Sequence, residues 1–270
     1  MATSANSDLL QQALALHRRG ATTDAAACYA AVLRSDPCNA DAHYYLGLIA
    51  CQYGRFAEGA ECAQKALAAD DAHVRAHVLL GRALSELGRH EEGLTSFERA
   101  IALAPESDRA HSHRADLLSD LGRHAEAVEA YDRALALAGD RAEDWYNRGA
   151  ALDVLGRHSE AIASFAHTIA LKPDYLDAHL RRAKNLSDIH CDRQALESLN
   201  SISATAPGLA KVWLSRGNIL IKLKRHGEAI AAFYQALTLE PELSAAWLGR
   251  GNALFEVRRY EEHSPRMSVL

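Results

Sequence analysis

Apolar and polar residues follow a helical rhythm along this chain, and the rhythm itself repeats. The tetrapeptide "LGRH" stands at 87–90, 121–124 and 155–158, each copy 34 residues after the last, and "LKRH" stands at 223–226. With position 1 placed at Asn6, seven full repeats start at Asn6, Ala40, Val74, Asp108, Ala142, Leu176 and Ala210, and a partial eighth starts at Ser244. Position 8 is always small: Ala13, Gly47, Gly81, Ala115, Gly149, Ala183, Gly217 and Gly251. So is position 20 of the full repeats, from Ala25 and Gly59 to Ala195 and Ala229. Position 24 is large in all but one, with Tyr29, Phe97, Tyr131, Phe165, Leu199 and Phe233 against Ala63. At about 100° per residue, positions 4, 7, 8 and 11 share one face of a helix, and 20, 24 and 27 share one face of a second. Small residues at 8 and 20 let the two backbones approach, and the ring at 24 fills the space beside them. Position 15 is Gly in the first five repeats, suiting a left-handed residue at a helix end. Pro37, Pro105, Pro173, Pro207 and Pro241 at position 32 stop the second helix. The first repeat thus predicts a helix at about 7–19, a turn, and a helix at about 22–35. "LGRH" is the turn between the paired helices.

Position 4 carries Trp145, Trp213 and Trp247, with Leu9, His43, His77, His111 and His179 elsewhere. The fifth repeat strings together Trp145, Gly149, Leu152, Ala161, Phe165 and Pro173. In this register the chain resembles the tetratricopeptide repeat, W-x2-L-G-x2-Y…A-x3-F…P, from residue 6 to about 260. It departs from that signature by His for Trp at four positions and by Arg for Leu at position 7 in the last five repeats. The resemblance implies an all-α fold, a right-handed α-solenoid of helix-turn-helix units. The expected organisation is a tail at 1–5, seven repeats at 6–243, the first helix and turn of an eighth at 244–262, and an irregular tail at 263–270. Trp145, Trp213, Phe97, Phe165 and Phe233 are expected to be buried between repeats.

Composition narrows the function. The chain has 270 residues, 49% hydrophobic and 24% charged, with a net charge of -5. That suits a folded protein, and the length exceeds what one globular core usually fills. The mild acidity argues against nucleic acid or an anionic membrane as partner. No basic segment followed by an apolar one opens the chain, and no apolar run approaches 18 residues, so neither signal peptide nor membrane span is expected. Cys28, Cys38, Cys51, Cys62 and Cys191 form no C-x-x-C pair and read as small hydrophobes in a reducing, cytoplasmic setting. The 14 His residues lie mostly at positions 4 and 17, which is repeat inheritance rather than a convergent metal site. No phosphate loop or nucleophile elbow occurs, so neither an enzyme nor a cofactor is expected.

By resemblance, first helices line a concave groove that holds an extended peptide or partner helix. At positions 2, 6 and 9 stand Arg75, Arg82, Arg109, Arg181, Lys184 and Lys211, against Glu143, Asp177 and Asp116. Positions 12 and 13 carry Glu86, Asp120, Asp153 and Asp188 against Lys222, so a basic strip is expected beside an acidic one. His113, Tyr146, Asn147, Asn218 and Asn252 are available for hydrogen bonds. The expected ligand is a protein or peptide segment of acidic or mixed charge. Position 5 holds no Lys, which argues against the chaperone-tail clamp of the family. Arg114, Arg148, Arg182, Arg216 and Arg250 at position 7 sit at the edge of the packing face and read mainly as structural.

Two function classes follow. The first is a protein–protein interaction scaffold. The alternative is the substrate-targeting part of a larger enzyme, since alanine-rich bacterial arrays of this kind are similar to those preceding O-linked N-acetylglucosamine transferase-type domains. Only Asn147, Asn218 and Asn252 match the Asn ladder of such arrays. At the C-terminal end, His263 and Pro265 break the pattern. The expectation there is either a truncated piece of a longer array or an end that self-associates.

Overall fold

The computed structural model describes residues 2–263 and contains fifteen α-helices and no strand among them. Contacts divide the chain into two compact units, Met1–Gly139 and Asp140–Leu270. The N-terminal unit holds the pairs α1 (Ala2–Arg18) and α2 (Thr22–Ser35), α3 (Ala40–Gln52) and α4 (Phe56–Ala69), α5 (Val74–Glu86) and α6 (His90–Leu103), and α7 (Asp108–Asp120) and α8 (His124–Leu137). The C-terminal unit holds α9 (Ala142–Val154) and α10 (His158–Leu171), α11 (Leu176–Asp188) and α12 (Asp192–Thr205), α13 (Ala210–Lys222) and α14 (His226–Leu239), and a final α15 (Ser244–His263). Every first helix from α3 onward begins at position 1 of the repeat. The fold is an all-α solenoid of helix hairpins.

Local chemistry fixes where the helices stop and start. Gly20, Gly54, Gly88, Gly122 and Gly156 at position 15 take φ between 71° and 78°, the left-handed conformation that glycine adopts without a Cβ penalty. His190 (φ 61°) and Lys224 (φ 58°) take the same conformation at the same position in the sixth and seventh repeats. Asn39, Ser107 and the His73 ring accept the orphan amides of Ala42, Ala110 and Ala76 at the starts of α3, α7 and α5. The Arg of "LGRH" precedes the second helix and reaches the Glu three residues on. Arg89–Glu92, Arg123–Glu126, Arg157–Glu160 and Arg225–Glu228 each form a two-bonded fork at 2.6–2.7 Å. These hydrogen bonds hold each glutamate carboxyl below its ordinary range.

The core lies between the paired helices. Phe97, Phe165, Phe233, Tyr29 and Tyr131 at position 24 are fully enclosed. A Cβ placed on Gly81, Gly149 or Gly217 would meet the ring of Phe97, Phe165 or Phe233 at 2.6, 2.8 and 2.5 Å respectively. The Phe233 ring is gripped from a second side, since a Cβ on Gly249 would also meet it at 2.5 Å. Where position 8 is instead Ala13, Ala115 or Ala183, position 24 is Tyr29, Tyr131 or Leu199. In the second repeat, where position 24 is Ala63, the glycine serves helix contact instead: a Cβ on Gly47 would meet Cys62 Cβ at 2.9 Å and the Gly59 carbonyl at 3.0 Å.

Three expectations need correction. Trp145 and Trp213 are half-buried rather than buried: Trp145 stacks on His167 with ring centres 4.2 Å apart, and Trp213 Nε1 donates to the Pro207 carbonyl at 2.8 Å. No tail spans 1–5 as drawn from the sequence: α1 starts at Ala2, since "ATSAN" contains neither Pro nor Gly to stop it. The turn expected within "RRYEE" is also absent, and α15 runs on to His263. Arg258 occupies position 15 there, and its helical conformation avoids the left-handed cost that His190 and Lys224 bear under packed second helices. Residues 264–270, the expected irregular tail with Pro265, lie outside the described residues.

Candidate functional site

In the N-terminal unit, α3, α5 and α7 wall a groove of about 300 Å³. Leu48, Val74, Val78 and Leu79 give it an apolar floor, and Tyr44, Arg75, Arg82, Ser107, Arg109 and His113 give it polar walls. No carboxylate lines it. Arg75 donates to Tyr45 Oη and Asp41 Oδ1, both at 3.0 Å, and its guanidinium lies 5.1 Å from the Tyr44 ring centre. Arg82 and Arg109 are exposed and enter no hydrogen bond or ion pair among the described residues. Burial raises the Tyr44 phenol above its ordinary value, while Arg75, Arg109 and Arg82 pull the other way. The phenol therefore keeps its proton and can donate. His113 stacks near Phe97 with ring centres 6.2 Å apart and stands 3.6 Å from Asp116. Asp116, expected in the groove, instead accepts the Tyr131 hydroxyl at 2.6 Å.

In the C-terminal unit, α11 and α13 frame a larger groove of about 640 Å³. Leu180, Ala183, Leu199 and Ile219 line it together with Arg181, Lys184, Asn218 and Lys222. Its cations are engaged. Arg181 donates to Tyr146 Oη at 2.9 Å and Asp153 at 3.4 Å, Lys184 to Asp153 and Asp188 at 3.1 Å each, and Lys222 to Ser187 Oγ at 2.5 Å. Burial alone would lower the Lys184 ammonium, but its bonds to Asp188 and Asp153 outweigh that and hold it above its ordinary value. Asn147, Lys211 and Asn252 line neither groove; Asn147 is half-buried, and the other two are exposed.

In the C-terminal groove Arg181 and Lys184 thus pair with Asp153 and Asp188, whereas in the N-terminal groove Arg75 alone of the three arginines is ion-paired, to Asp41. For a cation at position 9, position 12 decides this. A cation at position 9 reaches back to position 12 of the preceding repeat, and Lys184 finds Asp153 there. Arg82 faces Cys51 instead, whose thiol is pushed up by burial and pulled down by that guanidinium. The signal was present in the sequence, but it depends on which positions of neighbouring repeats meet.

The position-7 arginines are packing elements in the cases the structure describes. Arg148, Arg216 and Arg250 lie 5.9, 5.2 and 5.7 Å from the ring centres of Trp145, Trp213 and Trp247, three residues earlier on the same helix. Arg148 also donates to Ser164 Oγ at 2.6 Å, and Arg114 stands 3.5 Å from Glu98. Among the described residues one group has metal-ligand character: Asp153, His158 and Asp188, with ligand atoms within 4.8 Å of one another. Lys184 already bridges its two carboxylates, and His158 Nδ1 faces Asn185 Oδ1 at 2.8 Å. No described helix is long and apolar enough to cross a membrane.

Family models described as tetratricopeptide repeat match residues 10–73, 52–108, 113–175 and 210–243, more than half of the chain. The chain is a member of the tetratricopeptide repeat family. No curated protein matches it in sequence. Among solved structures it is similar to YrrB, a TPR protein with an unusual peptide-binding site, at 17% identity and a TM-score of 0.65, over 71% of this chain and 99% of that one. It is similar to PilF of Pseudomonas aeruginosa at 21% identity and a TM-score of 0.68, over 78% and 96%. The C-terminal part of a TPR repeat-containing protein from Cytophaga hutchinsonii gives 14% identity and a TM-score of 0.73, over 89% and 98%. At such identities the likeness is one of fold.

Proposed function

We propose that this tetratricopeptide repeat protein is a non-catalytic scaffold that binds an extended peptide or partner helix along its first helices. The observation that carries the reading is the groove walled by α3, α5 and α7, which combines an apolar floor with two guanidinium groups that no other described side chain engages. Charges left unpaired at the rim of a preformed cleft are available to a ligand without breaking internal bonds first. The family, and YrrB with its peptide-binding site, support a protein ligand. The ligand is of acidic or mixed charge, because the α3–α5–α7 groove offers cations without carboxylates.

A peptide library screened against the intact protein tests this. Selected peptides should be enriched in Asp or Glu, and Arg82→Glu with Arg109→Glu should weaken them by tenfold or more without shifting the melting temperature. Higher ionic strength should weaken them further. A screen that returns no peptide, or peptides indifferent to both the double variant and salt, rejects the groove as the binding site.

A further inference from the structure

The charge distribution within the α3–α5–α7 groove makes its ligand more specific than an acidic peptide. Arg75, Arg82 and Arg109 all line this one cleft, and all three act on the single phenol of Tyr44 at its wall. Arg75 is paired with Asp41 at 3.0 Å, whereas Arg82 and Arg109 enter no hydrogen bond or ion pair among the described residues. Each is a planar fork suited to two oxygens of one anion. One carboxylate has two oxygens and a single negative charge, so it satisfies one fork and half of the charge. A phosphomonoester carries a charge of about −1.5 to −2 at pH 7 and three terminal oxygens, enough for both forks together with the Tyr44 hydroxyl. The apolar floor of Leu48, Val78 and Leu79 gives the flanking peptide a place to rest. The groove of the other unit is larger, but its cations already serve Asp153, Asp188, Tyr146 and Ser187, so it offers no equivalent charge.

We infer that the α3–α5–α7 groove recognises a phosphorylated side chain of a partner protein, held between Arg82 and Arg109. This rests on the groove being the binding site proposed above. Three ten-residue libraries of otherwise identical design, with phosphoserine, glutamate or serine at the centre, are titrated against the whole chain. The phosphoserine library should bind at least tenfold more tightly than the glutamate library. That preference should vanish in Arg82→Gln/Arg109→Gln, whose circular dichroism and melting should match the parent because neither residue has an internal partner. Lys184→Gln in the other groove should leave the preference intact. Equal binding of phosphoserine and glutamate libraries, both lost in the double variant, overturns the phosphate assignment and leaves the groove reading standing. A phosphate preference that survives the double variant overturns the assignment to this groove. Equal retention on phosphatidylserine vesicles, or equal occupancy by inorganic phosphate alone, overturns recognition of a phosphorylated protein. No binding of any library removes both readings together.

Discussion

Position 4 is Leu9 in the first repeat and either Trp or His in the others, and these two share one atom arrangement that matters. The ring N–H reaches the carbonyl six residues earlier: His43 to Pro37 at 2.9 Å, His77 to Asp71 at 3.0 Å, His111 to Pro105 at 3.0 Å, and Trp213 and Trp247 to Pro207 and Pro241 at 2.8 Å. Because a carbonyl can only accept, the imidazole must present Nε2–H. From sequence alone the His residues look like departures from the signature; they are replacements that keep the donor. His111→Trp should leave stability unchanged in urea unfolding, whereas His111→Phe should cost about 1 kcal/mol for the lost bond. The choice of Gly or Ala at position 8 was equally visible and equally opaque, since smallness could be read but not the ring pressing on it. Gly217→Ala should destabilise the protein by about 1–3 kcal/mol through collision with Phe233. Adding Phe233→Leu should recover part of that loss by recreating the Ala183–Leu199 pairing, so a double-mutant cycle should show strong coupling.

Helices were the most legible level, because periodicity, glycine and proline all act locally. The predicted second helix at about 22–35 and the observed α2 agree at both ends. The end of α15 was misread for a physical reason: a turn needs a second helix that repays its left-handed residue, and "RRYEEH" offers helix formers without the small residue at position 20. Groove charges were legible as residue types but not as pairs. Arg181 was expected to be a free binding residue, yet it spans Tyr146 and Asp153, and the Asp153 side chain is only 10% exposed. Arg181→Glu should therefore lower thermal stability by about 1–2 kcal/mol, while Arg82→Glu should not. Differential scanning calorimetry of the two single variants separates them, and equal melting would contradict the pairing pattern.

For the whole molecule, repetition turns small local effects into collective ones. The four Arg–Glu forks of the inter-helix turns all depress glutamate carboxyls relative to their unfolded value of about 4.3. Their contribution is complete above that value and is lost as pH falls through the lower folded value, so stability should decline on the acid side. Replacing Glu92, Glu126, Glu160 and Glu228 by Gln should flatten that decline in melting curves recorded from about pH 6 to pH 3. Repetition also means that stability is close to a sum over repeats and their interfaces, so opening can begin wherever the sum is least. His190 and Lys224 hold the left-handed turns that glycine holds in the earlier repeats, each at a cost of about 1 kcal/mol. Amide hydrogens read that difference directly. Protection in α12 and α14 should be lower than in α6 and α8, with exchange starting from the hairpins that lack glycine. His190→Gly and Lys224→Gly should slow exchange in their own hairpins and leave the glycine-turned ones unaltered. The turn residue at position 15 would then set the order in which this solenoid unzips.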